Sequence, residues 1–126
     1  MPKTILTSTS APAPVGPYSI ATEANGFVFL SGQVGIDPAT GTVVEGGVAA
    51  QTRRIMANIE LILRDLGLTF DDVAKTSIFL TDIGDFGSVN EVYAEYVGDA
   101  KPARSTVGVA ALPLGVAVEI EMIAAR

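Results

Sequence analysis

Hydrophobic residues change their spacing along this chain, and each change marks an element. Between Val48 and Leu66 the apolar positions Ile55, Ile59, Ile62, Leu63 and Leu66 return every three or four residues, on one face of a helix that Gly67 ends. Arg53, Arg54, Glu60, Arg64 and Asp65 fall mostly on the other faces and read as solvated surface, not as a binding patch. Phe86, Val89, Tyr93 and Val97 form a second stripe over a predicted helix from Phe86 to Val97, with Asn90 beside Phe86 and Tyr93. Elsewhere the period falls to two. Tyr18 to Ala24 and Phe27 to Gln33 read as strands joined by the Asn25-Gly26 hairpin turn, and Val73 to Leu80 as a third, rich in Val, Thr, Ile and Phe.

Two further strands are predicted near the C-terminus, one opened by Arg104 with Val107 and Val109 half-buried. The other follows the Pro113-Leu114-Gly115 turn signal and carries Glu119 and Glu121. Thr4 to Thr7 reads as a short edge strand, Ser8 to Pro17 as a proline-rich connector, Asp37 to Gly41 as a loop, and Thr42 to Val44 as a brief strand. This order predicts an α+β sandwich, two helices on one face of a mixed sheet, built as one domain over residues 1–126.

Counting back from an Ala24–Phe27 pair sets Ile20 opposite Ser31, Ser19 opposite Gly32 and Tyr18 opposite Gln33. Two distant stretches, Gly16 to Ser19 and Ser31 to Gln33, therefore meet at one hairpin end. Gly32 either leaves its backbone N–H open to a ligand oxygen or simply permits a bulge or close strand packing. Tyr18 can lie on apolar surface while its hydroxyl reaches a polar atom, or be an ordinary half-buried aromatic.

Composition narrows the classes. With 126 residues, a hydrophobic fraction of 48% and positive mean hydropathy, part of the surface of so small a chain is expected to be buried in an oligomer. A net charge of −6 with scattered basic residues lacks the footprint of a nucleic-acid binder. The absence of His and Cys excludes disulfides, cysteine nucleophiles, thiolate metal sites and histidine bases. No loop has the spaced acids of a hard-cation site, so neither metal nor cofactor is expected. No apolar run approaches membrane-spanning length and the N-terminus lacks a signal-like apolar segment, so the cytoplasm is the expected location.

Charge is scarce in the last quarter, where each charged group needs a reason. Arg104, beside apolar positions, must be paired. It is either in a structural ion pair with one of the chain's own acids or a receptor for a ligand carboxylate, which its fork suits bidentately. Glu119 and Glu121 share one face of their strand, opposite Val118, Ile120 and Met122. They are either the polar outer face of an edge strand or a pair raising one another's pKa, fit for proton exchange. Asn90 is open in the same way, between a satisfied core hydrogen bond and a site role. If Pro113-Leu114-Gly115 makes a tight hairpin, Glu119 pairs near Val109, about five residues or roughly 16 Å from Arg104. Either the hairpin is absent or the two groups meet across a subunit boundary, and the second is expected.

The pieces GPYS (Gly16 to Ser19), SGQ (Ser31 to Gln33), NEVYAEY (Asn90 to Tyr96), PARST (Pro102 to Thr106) and VEIE (Val118 to Glu121), in this order, resemble the reactive intermediate deaminase family, RidA or YjgF. The resemblance runs from about Ala13 to the C-terminus. It implies a chorismate-mutase-like fold, a homotrimer, and a ligand site in each intersubunit cleft. It further implies hydrolysis of 2-imino acids or their enamine tautomers, such as 2-iminopropanoate and 2-iminobutanoate, to 2-oxo acids and ammonia. By the same resemblance Arg104 grips the substrate carboxylate and Glu119 positions or activates water. Tyr18, Ser31, Gly32, Asn90 and Thr106 match cleft-lining positions. Thr106 stands where several relatives have cysteine, and the Tyr96 to Pro102 segment is shorter than in some.

The implied chemistry suits the inventory, because a protonated imine carbon is already electrophilic and needs no covalent nucleophile, metal or cofactor. The alternative is a non-catalytic small-carboxylate binder or regulatory trimer using the same cleft. Ribonuclease activity, also attached to the family, is disfavoured by net charge −6 and the missing histidines. Chorismate mutase activity would rest on fold analogy alone.

Overall fold

The helices Gly47–Asp65 (α1) and Phe86–Val97 (α2) pack together on one face of a six-stranded mixed sheet in the computed structural model, which describes residues 2–126. The strands are Thr4–Leu6 (β1), Ala21–Ala24 (β2), Phe27–Gln33 (β3), Val73–Leu80 (β4), Ala103–Gly108 (β5) and Val118–Ala125 (β6). They lie in the order β1-β2-β3-β6-β4-β5, and only β4 and β5 run parallel, as their helical crossover through α2 requires. Both helices form where the apolar period predicts them, to within a residue for α1.

Along α1, Ile55, Met56, Ile59, Ile62 and Leu63 are buried against Val28, Leu30, Ile78, Leu80, Val118, Ile120 and Met122 of the sheet. A buried side chain of this size contributes about 1.5–3 kcal/mol. Ile120 lies mid-sheet, fully buried. Ile120→Ala is expected to lower stability by about 2–5 kcal/mol, read as a lower denaturant midpoint at unchanged m. Not all polar residues of α1 are free surface. Asn58 is buried, donating from Nδ2 to the Ile36 carbonyl at 2.8 Å and accepting from half-buried Arg54 Nε at 3.0 Å. Asp65 accepts from the Ser8 and Ser10 hydroxyls at 2.7 and 3.1 Å and from the Ser10 N–H at 3.3 Å, tying the N-terminal connector to the end of α1.

Three strand expectations are corrected. Strand β2 begins at Ala21, because Tyr18 N–H turns back to the Gly16 carbonyl at 2.9 Å. Ile20 still receives the Ser31 N–H at 2.9 Å, but Ser19 and Tyr18 leave the ladder. The segment Thr42 to Val44 contributes a single bridge, Ile36 to Val43. Most consequentially, β5 and β6 do not form a hairpin. Pro113–Gly115 is one tight turn with Leu114 at φ 61°, inside a longer connection that carries the chain past β4. Strand β6 has Val118, Ile120, Met122 and Ala124 all buried on its helix side, and it takes the place between β3 and β4 where both its edges are paired. Glu119 and Glu121 are thus on a central strand, not an edge.

The face away from the helices is uncovered. Phe27, Phe29 and Val107 are exposed, and Glu119, Glu121, Ser77 and Phe79 share that side by their alternation with buried neighbours.

Candidate functional site

On the uncovered face, Glu119 borders a cleft of about 610 Å³ that is also lined by Tyr18, Ser31, Gly32, Val15 and Leu114. A bulge builds its floor. Leu30 pairs with Met122 and Gln33 with Ile120, so Ser31 and Gly32 together stand opposite the single Glu121. The Ser31 hydroxyl donates to the Ser19 carbonyl at 2.6 Å, holding the GPYS and SGQ stretches together after their ladder has ended. Tyr18 is 54% exposed at the cleft mouth.

The reason for glycine at 32 is the carboxylate beside it. A Cβ there would overlap Glu119 Oε2 and stand 2.8 Å from Glu119 Cδ. Burial, then the neighbouring Glu121 charge, pushes the Glu119 carboxyl above its ordinary range, and no donor or cation among the described residues offsets them. Gly32→Ala is expected to keep the fold but swing the Glu119 carboxylate toward water. Carboxyl-detected NMR titration should then find its pKa closer to the ordinary value; an unchanged pKa would mean the carboxylate had not moved.

Arg104 lies on the other side of the sheet. It pairs in register with Thr76, and its Nη1 donates to Asn90 Oδ1 at 2.7 Å. Its guanidinium carbon is 4.9 Å from the Tyr93 ring centroid and 5.5 Å from that of Phe86. Tyr93 is itself fixed, buried with its hydroxyl donating to Thr76 Oγ1 at 3.1 Å. The ion pairs among the described residues are Arg53–Glu95 and Arg126–Glu23; none involves Arg104. A half-buried guanidinium without a carboxylate is held by an amide oxygen and two rings. Thr106, two residues along the same strand, has a buried Oγ1 with no hydrogen-bond partner.

The anticipated residues therefore fall into two groups. Tyr18, Ser31, Gly32 and Glu119 come together at the cleft. Asn90 and Arg104 are joined by a hydrogen bond beside Thr106, on the face the helices cover. Strand β4 separates the groups: Arg104 stands opposite its Thr76 and Glu119 opposite its Phe79. Two strand spacings across and three residues along put the two Cα atoms roughly 14 Å apart, with side chains on opposite faces. No small ligand can touch both within one chain. Asn90 is exposed rather than a core amide. Phe86 and Tyr93, read from sequence only as members of an apolar helix stripe, flank the arginine; their i, i+4, i+7 spacing with Asn90 was the available signal. Among the described residues no group of three His, Cys, Asp or Glu side chains converges as metal ligands.

Comparison with known proteins matches this arrangement to a family. A family model described as Endoribonuclease L-PSP matches residues 8–126. A RutC family protein of Pyrococcus horikoshii is 48% identical over 122 residues, covering 97% of each chain. The 2-iminobutanoate/2-iminopropanoate deaminase of Mus musculus is 44% identical over 97% of this chain and 90% of its own. A crystal structure of a conserved Rid family protein from Yersinia pestis superposes with a TM-score of 0.95 at 44% identity, covering 99% of this chain and 100% of that one.

Proposed function

Since this chain belongs to the Endoribonuclease L-PSP family of RutC and Rid proteins, we propose that it hydrolyses short-lived 2-imino acids to 2-oxo acids and ammonia. Arg104 binds the carboxylate and Glu119 handles the proton of the attacking water. The observation that carries this reading is the arginine: a cation packed beside α2 that no carboxylate among the described residues neutralises, held by neutral groups. A relative at 44% identity named as an imine deaminase supports the choice of reaction.

The site belongs to an assembly, which we take to be a homotrimer of chorismate-mutase-like form. Arg104 and Glu119 face opposite sides of one sheet, and the uncovered face exposes Phe27, Phe29 and Val107. Packing the uncovered face of one copy against the β5 edge of the next buries this surface and lets the edge-strand arginine of one copy approach the glutamate of another. Tyr18, Ser31, Gly32, Asn90 and Thr106 line the resulting cleft.

The chemistry is short. Water adds to the protonated imine carbon while Glu119 takes one of its protons, giving a neutral carbinolamine. Glu119 returns that proton to nitrogen, the C–N bond breaks, and the hydroxyl proton leaves with ammonia as ammonium while the C=O forms. One carboxylate with a raised pKa can serve both transfers. Positioning by the arginine lowers the entropic barrier.

A second reading, a non-catalytic carboxylate binder, is favoured by one observation: within a single chain the anion-holding arginine and the glutamate lie on opposite faces of the sheet. The experiment that separates the two generates 2-iminobutanoate with a dehydratase in the presence of semicarbazide. A deaminase lowers trapped imine and raises 2-oxobutanoate in proportion to enzyme. A binder leaves the imine lifetime unchanged while still binding 2-oxobutanoate. RNA cleavage is disfavoured at net charge −6 without histidine.

A further inference from the structure

The first residue of α2 is poorly placed for its type. Phe86 is 42% exposed and stands outside the buried cluster that forms the core, while the same helix buries Val89, Val92, Tyr93 and Val97. What it does touch is charged: its ring centroid lies 5.5 Å from the Arg104 guanidinium carbon. Phe86, Asn90 and Tyr93 are spaced i, i+4 and i+7, so one ridge of α2 runs along the guanidinium. It offers a ring at 5.5 Å, an amide oxygen at 2.7 Å and a second ring at 4.9 Å.

None of the three carries charge. A carboxylate in the same place would hold the arginine more tightly but would compete with any incoming anion. Ring faces and an amide oxygen attract the cation and leave its formal charge available. Tyr93 has a second role in its hydroxyl bond to Thr76, and Asn90 supplies the hydrogen bond. Phe86 neither fills the core nor makes a polar contact, and its exposed ring is accounted for by the guanidinium.

We infer that Phe86 is a positioning residue for Arg104, its ring face restricting the guanidinium so that the N–H groups not engaged by Asn90 point toward a bound carboxylate. This role rests on the carboxylate-binding reading of Arg104, because only then does orientation become affinity.

Phe86→Leu keeps apolar bulk and removes the ring face, whereas Phe86→Tyr keeps both. The leucine variant is expected to bind 2-oxobutanoate about two- to five-fold more weakly, the size of an exposed cation–ring contact. KM for the imine should carry more of the change than kcat, and the tyrosine variant should restore both. The Arg104 Nε–H resonance gives a reading that needs no ligand: separate from the exposed arginines in the wild type, it should move into their averaged envelope in Phe86→Leu and stay apart in Phe86→Tyr. Wild-type affinity with an unmoved resonance in the leucine variant overturns the role, as does an equal loss in both variants. If the wild-type protein binds no 2-oxo acid, the carboxylate reading fails by itself and the Arg104 resonance alone decides the part played by Phe86.

Discussion

Arg104→Ala is expected to lower kcat/KM for 2-imino acids roughly 10²- to 10³-fold and to weaken 2-oxo acid binding by a similar factor. Removing one member of a partly desolvated, hydrogen-bonded charge pair costs about 2–5 kcal/mol, because the remaining charge loses its partner along with its water. The arginine sits on Asn90 and two rings with no acid partner among the described residues, so its loss leaves no unpaired carboxylate there and the fold should survive. Arg104→Lys should recover little, since a point charge on a flexible stem cannot keep both the Asn90 bond and a two-pronged grip on a carboxylate. Calorimetric titration with 2-oxobutanoate and the semicarbazide assay measure the two effects. An alanine variant that retains tight binding would remove Arg104 from the site.

Glu119→Gln is expected to leave 2-oxo acid binding within a few-fold of wild type while lowering kcat by about 10²- to 10⁴-fold, the range of general acid–base catalysis. In the wild type the base works only when ionised, so activity should fall as pH drops through a pKa displaced upward by burial and by Glu121. Glu121→Gln removes the like charge and should slide that acid limb to lower pH. The same displacement has a thermodynamic face. A carboxyl whose folded pKa exceeds its unfolded value favours folding below the unfolded value, and that contribution is lost as pH rises through the folded pKa. At neutral pH the glutamine variant should therefore be slightly more stable than wild type, by under about 1 kcal/mol for a half-solvated group, with the gap closing in acid. If kcat survives the substitution, water activation belongs elsewhere.

How far the sequence was legible depended on the range of the interaction that decided each feature. Helix α1, helix α2 and strand β4 follow from apolar spacing within a dozen or so residues, and the Asn25-Gly26 turn brings β2 against β3. The place of β6 does not follow from anything nearby. Pro113-Leu114-Gly115 is a turn in the structure, yet the partners of β6 are β3 and β4, chosen because its four helix-side residues must be buried and both its edges paired. Phe86 reads as one more member of an apolar stripe for a related reason. Periodicity identifies a helical face but not what that face meets, and here the first turn meets Arg104 instead of an apolar partner. The motif pieces led to the residues of both half-sites. Their separation onto opposite faces depends on β4 lying between β5 and β6, a matter of sheet order no local pattern encodes.

Strand β6 is synthesised after the other five strands, although it joins the two halves of the sheet. Until it emerges, β1–β3 and β4–β5 are separate ribbons, each with an unpaired inner edge and a row of apolar side chains lacking its central neighbour. A growing polypeptide therefore cannot close its sheet while residues 118–125 remain inside the ribosome.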